Sequence, residues 1–354
     1  MTVSHRDTAA LRSALERWLR DRVPDASIAS VSRPEGSGMS SDTVLLDATW
    51  DGQDHALVVR VAPDSADVPV FRHYDLELQF RVMRLVGERS DAPVPECLWY
   101  ESDPGVLGER FFVMRRVDGR VPKDNLPYTF EGWLVDAGVR DRMALQDDTV
   151  WSLAGIHGVD VRDLDQRDLG HEPGGPCALR QRVSHWRGYY DWLRGDATIP
   201  VIEDTFAWLD ANWPADDGGP SVLTWGDARI GNVIYDGFRP AAILDWEMAC
   251  LAPRGVDLGW MAYMHLFFQD VAEQLGLPGL PGFLAIDDLA EAYEARTGFT
   301  LADRQFWLVF AALRYGLVMA RIEQRQLAFG EIEPDDDPDS GVMHRDWLRA
   351  AIAS

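Results

Sequence analysis

The sequence is nearly devoid of lysine: of its 34 basic residues one is a lysine, Lys123, and the others are arginines. This scarcity excludes a G-x-x-x-x-G-K-[ST] phosphate loop, a lysine Schiff base and a polybasic lysine tract. Basic residues are also outnumbered, because 58 acidic side chains give a formal net charge of -24. That charge disfavours nucleic-acid backbones and anionic membranes as partners. It suits a cationic ligand, although an acidic soluble surface is the favoured explanation.

Cysteine and long hydrophobic runs are scarce as well. The three cysteines are far apart, without C-x-x-C spacing, at Cys97, Cys177 and Cys250. This excludes a zinc site or a disulfide framework of the usual spacing. The apolar stretch at 258–268 is too short to span a bilayer, and residues 1–25 lack the apolar core of a secretory signal. We therefore predict a cytoplasmic protein without a membrane partner.

The remaining composition is that of a globular chain, 46% hydrophobic and 26% charged in 354 residues. At roughly 100–200 residues per domain, this length favours two domains. Residues 1–118 form the first, with an N-terminal helix followed by a β-β-α-β-β pattern. Its strands are predicted at 43–50, 56–61, 96–101 and 110–117, and its second helix at 74–86. This order predicts an antiparallel sheet accompanied by helices, and hence an α+β fold.

The second predicted domain, residues 119–354, is mainly helical. Apolar residues recur at helical spacing over 150–158, 181–193, 202–213, 287–297 and 303–326. Short β-rich runs alternate with polar turns only in residues 221–245. Aromatic residues are frequent in this part of the chain, among them Trp260, Tyr263 and Phe267, and are interpreted either as core or as the lining of an apolar acceptor pocket.

The β-rich interruption carries the most informative motif in the sequence. It reads Trp-Gly-Asp227-Ala-Arg-Ile-Gly-Asn232, and a second aspartate, Asp245, ends the hydrophobic run that follows. An aspartate can accept the proton of an attacking hydroxyl, while asparagine and aspartate oxygens one short hairpin away can hold Mg²⁺ on nucleotide phosphates. The alternative is a turn of common composition followed by an aspartate that merely ends a strand.

These residues resemble the aminoglycoside phosphotransferase and choline kinase family of the protein-kinase-like fold. The resemblance is greatest to the subgroup of kinase-like domains attached to acyl-CoA dehydrogenases. The family pattern is H-G-D-x-x-x-x-N followed by (I/L)-D-(W/F)-E, and this chain has Trp225 in place of the histidine. In protein kinases that histidine braces the loop, so Trp225 is interpreted as a packing variant.

The resemblance implies roles for the motif residues. Asp227 would be the catalytic base, and Asn232 and Asp245 the magnesium ligands. Arg229 would either stabilise charge on the transferring phosphoryl group or brace the loop through an ion pair, and the sequence does not separate these two roles. Asp257, in a downstream D-L-G stretch, would brace the catalytic loop.

The resemblance extends to the first domain. The loop with Ser40 and Ser41 would face the nucleotide phosphates, and Arg60 stands where protein kinases carry the phosphate-clamping lysine. Arginine suits phosphate oxygens as a permanently charged fork. Its helix partner is left open between Gln79, placed there by register, and Glu77 on another helix face.

The stretch at 111–119 resembles the hinge between the two lobes of this fold. Backbone groups around Arg115 and Val117 would bind adenine there, although an apolar strand end has the same composition. The hypothesis is an ATP- and Mg²⁺-dependent phosphotransferase acting on a hydroxyl of a small molecule. The acidic charge favours an aminoglycoside-like acceptor, and the subgroup resemblance favours a hydroxylated metabolite.

A second hypothesis is a pseudokinase, a nucleotide-binding module without turnover. The missing strand lysine, the unresolved helix partner and Trp225 favour it, whereas the joint presence of Asp227, Asn232 and Asp245 opposes it. Neither hypothesis implies a protein or nucleic-acid partner.

Overall fold

The computed structural model describes residues 8–34, 42–63, 69–72 and 74–353. The loop with Ser40 and Ser41 lies outside these residues. The chain divides into two compact units. Unit 1 comprises Met1–Gly87 and Val94–Asp118, and unit 2 comprises Glu88–Pro93 and Gly119–Ser354.

Unit 1 contains an antiparallel sheet of five strands in the order β1-β2-β3-β5-β4. The strands are β1 (Ser27–Ser32), β2 (Asp42–Trp50), β3 (Gln53–Val61), β4 (Cys97–Glu101) and β5 (Phe111–Arg115). Helix α1 (Thr8–Arg20) precedes the sheet, and helix α2 (Leu76–Arg89) lies between β3 and β4 in the chain.

The side chains of β3 point alternately to the two faces of this sheet. Leu57, Val59 and Val61 are fully buried in one cluster with Leu15 and Leu19 of α1. Burial of each such side chain contributes about 1.5–3 kcal/mol. Because successive side chains of a strand point to opposite faces, the intervening residues of β3 lie on the other face.

The strand β1 is absent from the sequence prediction, which gave four strands where the sheet has five. The segment Ser-Ile-Ala-Ser-Val-Ser is rich in serine, and Ile28 is its one fully buried residue. Its apolar alternation is therefore too weak to mark a strand, and the pairing with β2 fixes its structure.

Unit 2 is built mainly from seven helices within the described residues. These are α3 (Val139–His157), α4 (Ala178–Arg194), α5 (Pro200–Ala211), α6 (Gly255–Gln274), α7 (Ile286–Thr297), α8 (Arg304–Ala328) and α9 (Arg345–Ala353). Two small antiparallel ladders interrupt them. One pairs β6 (Ser221–Thr224) with β9 (Cys250–Pro253), and the other pairs β7 (Val233–Asp236) with β8 (Arg239–Ile243).

Helices α6 and α8 form the centre of unit 2. A Cβ atom on Gly259 of α6 would lie 2.7 Å from the backbone oxygen of Trp307 in α8, so glycine permits this close approach. Helix α8 is long and apolar enough to cross a membrane, but 61% of its most apolar window is buried inside the fold, as in the core helix of a soluble protein. The sequence prediction omitted α6 because it is apolar almost all round and lacks a clear helical period.

Candidate active site

The hairpin of β7 and β8 places Asn232 and Asp245 at the same end. Val233 pairs with Ile243 in its register, and the backbone N–H of Leu244 donates to the Asn232 carbonyl oxygen at 2.8 Å. Asn232 therefore lies opposite Leu244, and Asp245 is the next residue along the chain. This hairpin brings together two predicted metal ligands that are separated in sequence.

Asp227 is 9% exposed, and its carboxylate accepts hydrogen bonds from three side chains. The indole N–H of Trp260 lies 2.6 Å from Oδ1, and the amide nitrogen of Asn232 lies 2.7 Å from Oδ2. The Nε–H of Arg229 is shared between the two oxygens at 3.2 and 3.3 Å. A carboxylate offers about four lone-pair sites, so these four contacts occupy it, and the two from Arg229 are the longest.

Arg229 lies between two carboxylates. Its Nε faces Asp227, and its terminal nitrogen forms an ion pair with Asp124. Burial lowers the pKa of the Arg229 guanidinium, but the charges of Asp227, Asp124 and Asp245 outweigh burial and hold that pKa above its ordinary value. These ion pairs are the contacts expected of a residue that braces the loop.

Asp257 holds the chain just before Asp227. Its carboxylate accepts the backbone N–H of Trp225 at 2.7 Å and that of Gly226 at 2.8 Å, and it lies 3.1 Å from Nε2 of His157. Asp257 is fully buried. These hydrogen bonds confirm the bracing contact predicted for Asp257.

Trp225 connects the loop of Asp227 to the segment that carries Asp245. Its buried indole N–H lies 2.8 Å from the carbonyl oxygen of Leu244 and 3.0 Å from that of Asp245. A tryptophan is a donor only, and here its single N–H is shared between two carbonyl oxygens. The packing role predicted for Trp225 therefore includes a hydrogen bond.

Asp245 has a left-handed backbone conformation, with φ of 60°. Aspartate and asparagine adopt this conformation more readily than most residues. The amide nitrogen of Asn232 faces Asp227, and because the amide group is planar, its oxygen points away from Asp227. One amide oxygen and one carboxylate at the same hairpin end match the donors of a Mg²⁺ ion that keeps phosphate and water ligands.

No cluster of three or more His, Cys, Asp or Glu side chains suited to a metal occurs in the part of the chain that the structure describes. This finding excludes from those residues the closed sites that hold structural zinc. A site with one carboxylate, one amide and nucleotide phosphates does not need such a cluster.

Beside this loop is a closely packed region without room for a water molecule. It is lined by Asp124, Arg229, Tyr128 and His265, together with Met261, Met264, Phe268 and Leu284. Nε2 of His265 lies 3.1 Å from the Leu280 carbonyl oxygen, so that nitrogen carries the proton and Nδ1 accepts the Tyr128 hydroxyl at 3.0 Å. Burial lowers the pKa of His265 to about 4.

In unit 1, Arg60 is half-buried on β3, opposite Thr43 of β2 and Phe112 of β5. It lies on the sheet face away from the α1 cluster. Helix α2 contacts that same face, because the rings of Phe80 and Phe112 are 6.0 Å apart. Gln79 of α2 is buried and Glu77 is exposed, so the interior of this unit contains the neutral candidate partner.

Arg115 ends β5, and its backbone N–H donates to the Glu96 carbonyl oxygen at 2.9 Å. The guanidinium contacts Glu96 and His55. The N–H of Arg115 is therefore used in the sheet. Its carbonyl oxygen is the backbone group through which Arg115 could contact adenine. Val117 follows the end of the strand and is partly exposed.

Sequence reasoning missed several residues that the fold brings to this site. Asp124, Trp260 and Arg314 lie between 33 and 105 positions from the loop residues they contact, and His157 lies 100 positions from Asp257. No local motif marks such partners. The available signal was the position of Trp260 three residues after Asp257, because Asp257 was already expected to contact the loop.

The geometry can be compared with known proteins. A sequence model described as the phosphotransferase enzyme family (APH) matches residues 32–307. Acyl-CoA dehydrogenase family member 11 of Gallus gallus is 34% identical over 265 residues, which cover 73% of this chain and 31% of the chicken protein. The chain therefore spans about a third of the length of that relative.

Solved structures show the same fold. A protein from Ralstonia eutropha, assigned to the aminoglycoside phosphotransferases, matches with a TM-score of 0.69 at 23% identity and covers 96% of this chain and 97% of its own. APH(4)-Ia, an aminoglycoside phosphotransferase solved with AMP-PNP and hygromycin B, has a TM-score of 0.58 at 16% identity, with 96% and 99% covered. These likenesses confirm the predicted α+β, protein-kinase-like fold. Together with the family match, they show that the chain belongs to the phosphotransferase enzyme family.

Proposed function

We propose that this protein transfers the γ-phosphoryl group of ATP, with Mg²⁺, to a hydroxyl group of a small molecule. One observation supports this most strongly. A single hairpin and its preceding loop hold Asp227, Asn232 and Asp245 together, and the longest hydrogen bonds to Asp227, at 3.2 and 3.3 Å, come from one shared N–H of Arg229. An acceptor hydroxyl could replace one of these two contacts.

In this proposal Asp227 orients the acceptor hydroxyl and accepts its proton as phosphoryl transfer proceeds. The Asn232 amide oxygen and the Asp245 carboxylate would hold Mg²⁺. When bound, Mg²⁺ and ATP supply the phosphoryl group and the positive charge that offsets the phosphate oxygens. The indole N–H of Trp225 fixes the Asp245 backbone and thereby the position of its carboxylate.

Arg229 takes the bracing role in this scheme. Its Nε–H is shared by both oxygens of Asp227, and Asp124 engages its other end. Held at both ends, the guanidinium orients the base and offsets the charge of two adjacent carboxylates.

The nucleotide would be held by residues of unit 1. Ser40 and Ser41 would contact the phosphates through their loop, and Arg60 through its guanidinium. The Arg115 carbonyl and the Val117 backbone would contact adenine. The AMP-PNP complex of APH(4)-Ia supports an adenine nucleotide for this fold.

The acceptor is proposed as a class, either an aminoglycoside-like compound or a hydroxylated metabolite. The net charge of -24 favours a cationic acceptor. The acyl-CoA dehydrogenase relatives favour a hydroxylated metabolite.

The test is ATP-dependent mass gain across a panel of aminoglycosides and hydroxylated metabolites. Asp227→Asn should lower kcat by about 100- to 10,000-fold and spare ATP affinity. Asp245→Ala should abolish the Mg²⁺-dependent part of nucleotide binding. Asp236→Asn, an exposed aspartate of the same hairpin, is the matched control. Nucleotide binding without transfer to any acceptor, undiminished in Asp227→Ala, would instead identify a pseudokinase.

A further inference from the structure

The indole of Trp260 makes the shortest of the three side-chain hydrogen bonds to Asp227. Nε1 lies 2.6 Å from Oδ1, and the two residues are 33 positions apart. Trp260 is 3% exposed and Asp227 is 9% exposed, so this hydrogen bond is shielded from water. A shielded hydrogen bond to an ionised group is stronger than one at the surface.

The three donors to Asp227 differ in chemistry. Arg229 is charged and also engages Asp124, and Asn232 is a proposed metal ligand, so each has a second task. The indole is neutral, does not titrate and has no acceptor atom. Trp260 can therefore hold Oδ1 in one place at any pH without neutralising the carboxylate.

The indole is itself held in place by Arg314 of α8. The guanidinium carbon lies 4.3 Å from the centre of the Trp260 ring, a cation–π contact within a buried region. Arg314 also donates to the carbonyl oxygen of Gly226 at 2.7 Å. One buried cation thus touches both the loop before Asp227 and the ring that binds Asp227.

We infer that Trp260 is a positioning residue for Asp227, which fixes Oδ1 in the orientation that receives the acceptor hydroxyl. The inference rests on the proposed function for its effect on catalysis. The hydrogen bond itself can be tested without any acceptor, because the indole N–H gives its own nuclear magnetic resonance signal.

The first test is kinetic and uses Trp260→Phe, which keeps a ring on Arg314 and removes the N–H. We expect kcat to fall about 10- to 100-fold, as for one lost hydrogen bond to a charged group, with little change in the KM for ATP. A general loss of structure would instead raise that KM as well as lower kcat.

The matched control is Trp186→Phe. Trp186 is also buried and also packs against Arg314, with the guanidinium carbon 5.5 Å from its ring centre. The control should keep the wild-type kcat and the wild-type KM for ATP. Equal losses in the two variants, or an unchanged kcat in Trp260→Phe, would overturn the inference while leaving phosphotransfer by the wild-type protein intact.

The second test uses ¹⁵N-labelled tryptophan in the whole protein, where the Trp260 indole signal is the one missing from Trp260→Phe. That signal should move upfield in Asp227→Asn, because a neutral acceptor replaces an ionised one, and should stay in place in Asp236→Asn. An unmoved signal overturns the inference whether or not the protein transfers phosphate. Absence of transfer by the wild-type protein overturns the proposed function and the catalytic part of the inference with it.

Discussion

Asp124 forms an ion pair with Arg229, 105 residues further along the chain. Arg229 also forms an ion pair with Asp227. Asp124, which lies outside the motif, therefore holds Asp227 through the guanidinium that both carboxylates share. An arginine that is held at both ends is poorly placed to move onto a ligand. This relationship makes the two roles considered for Arg229 experimentally separable.

The first prediction concerns this pair. If Arg229 braces the loop, Arg229→Ala and Asp124→Ala should each lower kcat about tenfold, and the double variant should be no worse than Arg229→Ala alone. Steady-state kinetics of the four proteins measure this coupling. If Asp124→Ala leaves kcat unchanged while Arg229→Ala lowers it, Arg229 acts on the phosphoryl group instead.

The sequence predicts which candidate site residues lie together when those residues are close to one another in the chain. Asp227 and Asn232 share a short loop, and one hairpin leads to Asp245, so their spacing alone indicates that they lie together. Trp260 and Asp124 come from distant segments, and their contacts depend on how helices pack. A single sequence contains no period or motif that specifies such packing.

The elements of the fold divide in the same way into those that local sequence predicts and those that it does not. Strands β2 and β3 were predicted because their segments are rich in residues that favour strands, whereas β1 is defined by its pairing with β2. Helix α6 was overlooked because burial on all sides removes the amphipathic period that marks a helix. The features that escaped prediction are those determined by tertiary neighbours.

The second prediction concerns pH and stability. Burial lowers the pKa of His265 from 6.5 to about 4, so the unfolded chain binds a proton more readily than the folded one. Folding stability that is complete above pH 6.5 is therefore lost as the pH falls towards 4. His265 should account for about 2 kcal/mol of the loss in unfolding free energy between pH 7.5 and 5.

Urea unfolding of His265→Gln at several pH values measures this contribution. The variant should show a shallower decline with falling pH, whatever its stability at pH 7.5. His185→Gln, at an exposed position on α4, should keep the wild-type slope. A decline in His265→Gln as steep as in the wild type would show that His265 is not the group responsible.

The third prediction concerns Gly226, the residue before the proposed base. Its φ is +90°, and a Cβ atom there would lie 2.1 Å from the backbone oxygen of Met248. Neither the backbone conformation nor the available space admits a side chain. To relieve the clash with Met248, the loop that Asp257 and Arg314 hold would have to move. Gly226→Ala should therefore lower the free energy of unfolding by more than about 4 kcal/mol.

Gly237, in the turn between β7 and β8, separates the effect of backbone conformation from the effect of close contact. Its φ is +59°, but a Cβ atom there meets nothing within 4 Å. Gly237→Ala should cost only the backbone strain, about 1 kcal/mol, and keep phosphotransfer. Urea unfolding of both variants measures the difference, and circular dichroism shows whether Gly226→Ala folds at all. Equal losses in the two variants would mean that the approach to Met248 can relax, and that the loop before Asp227 is not rigidly held.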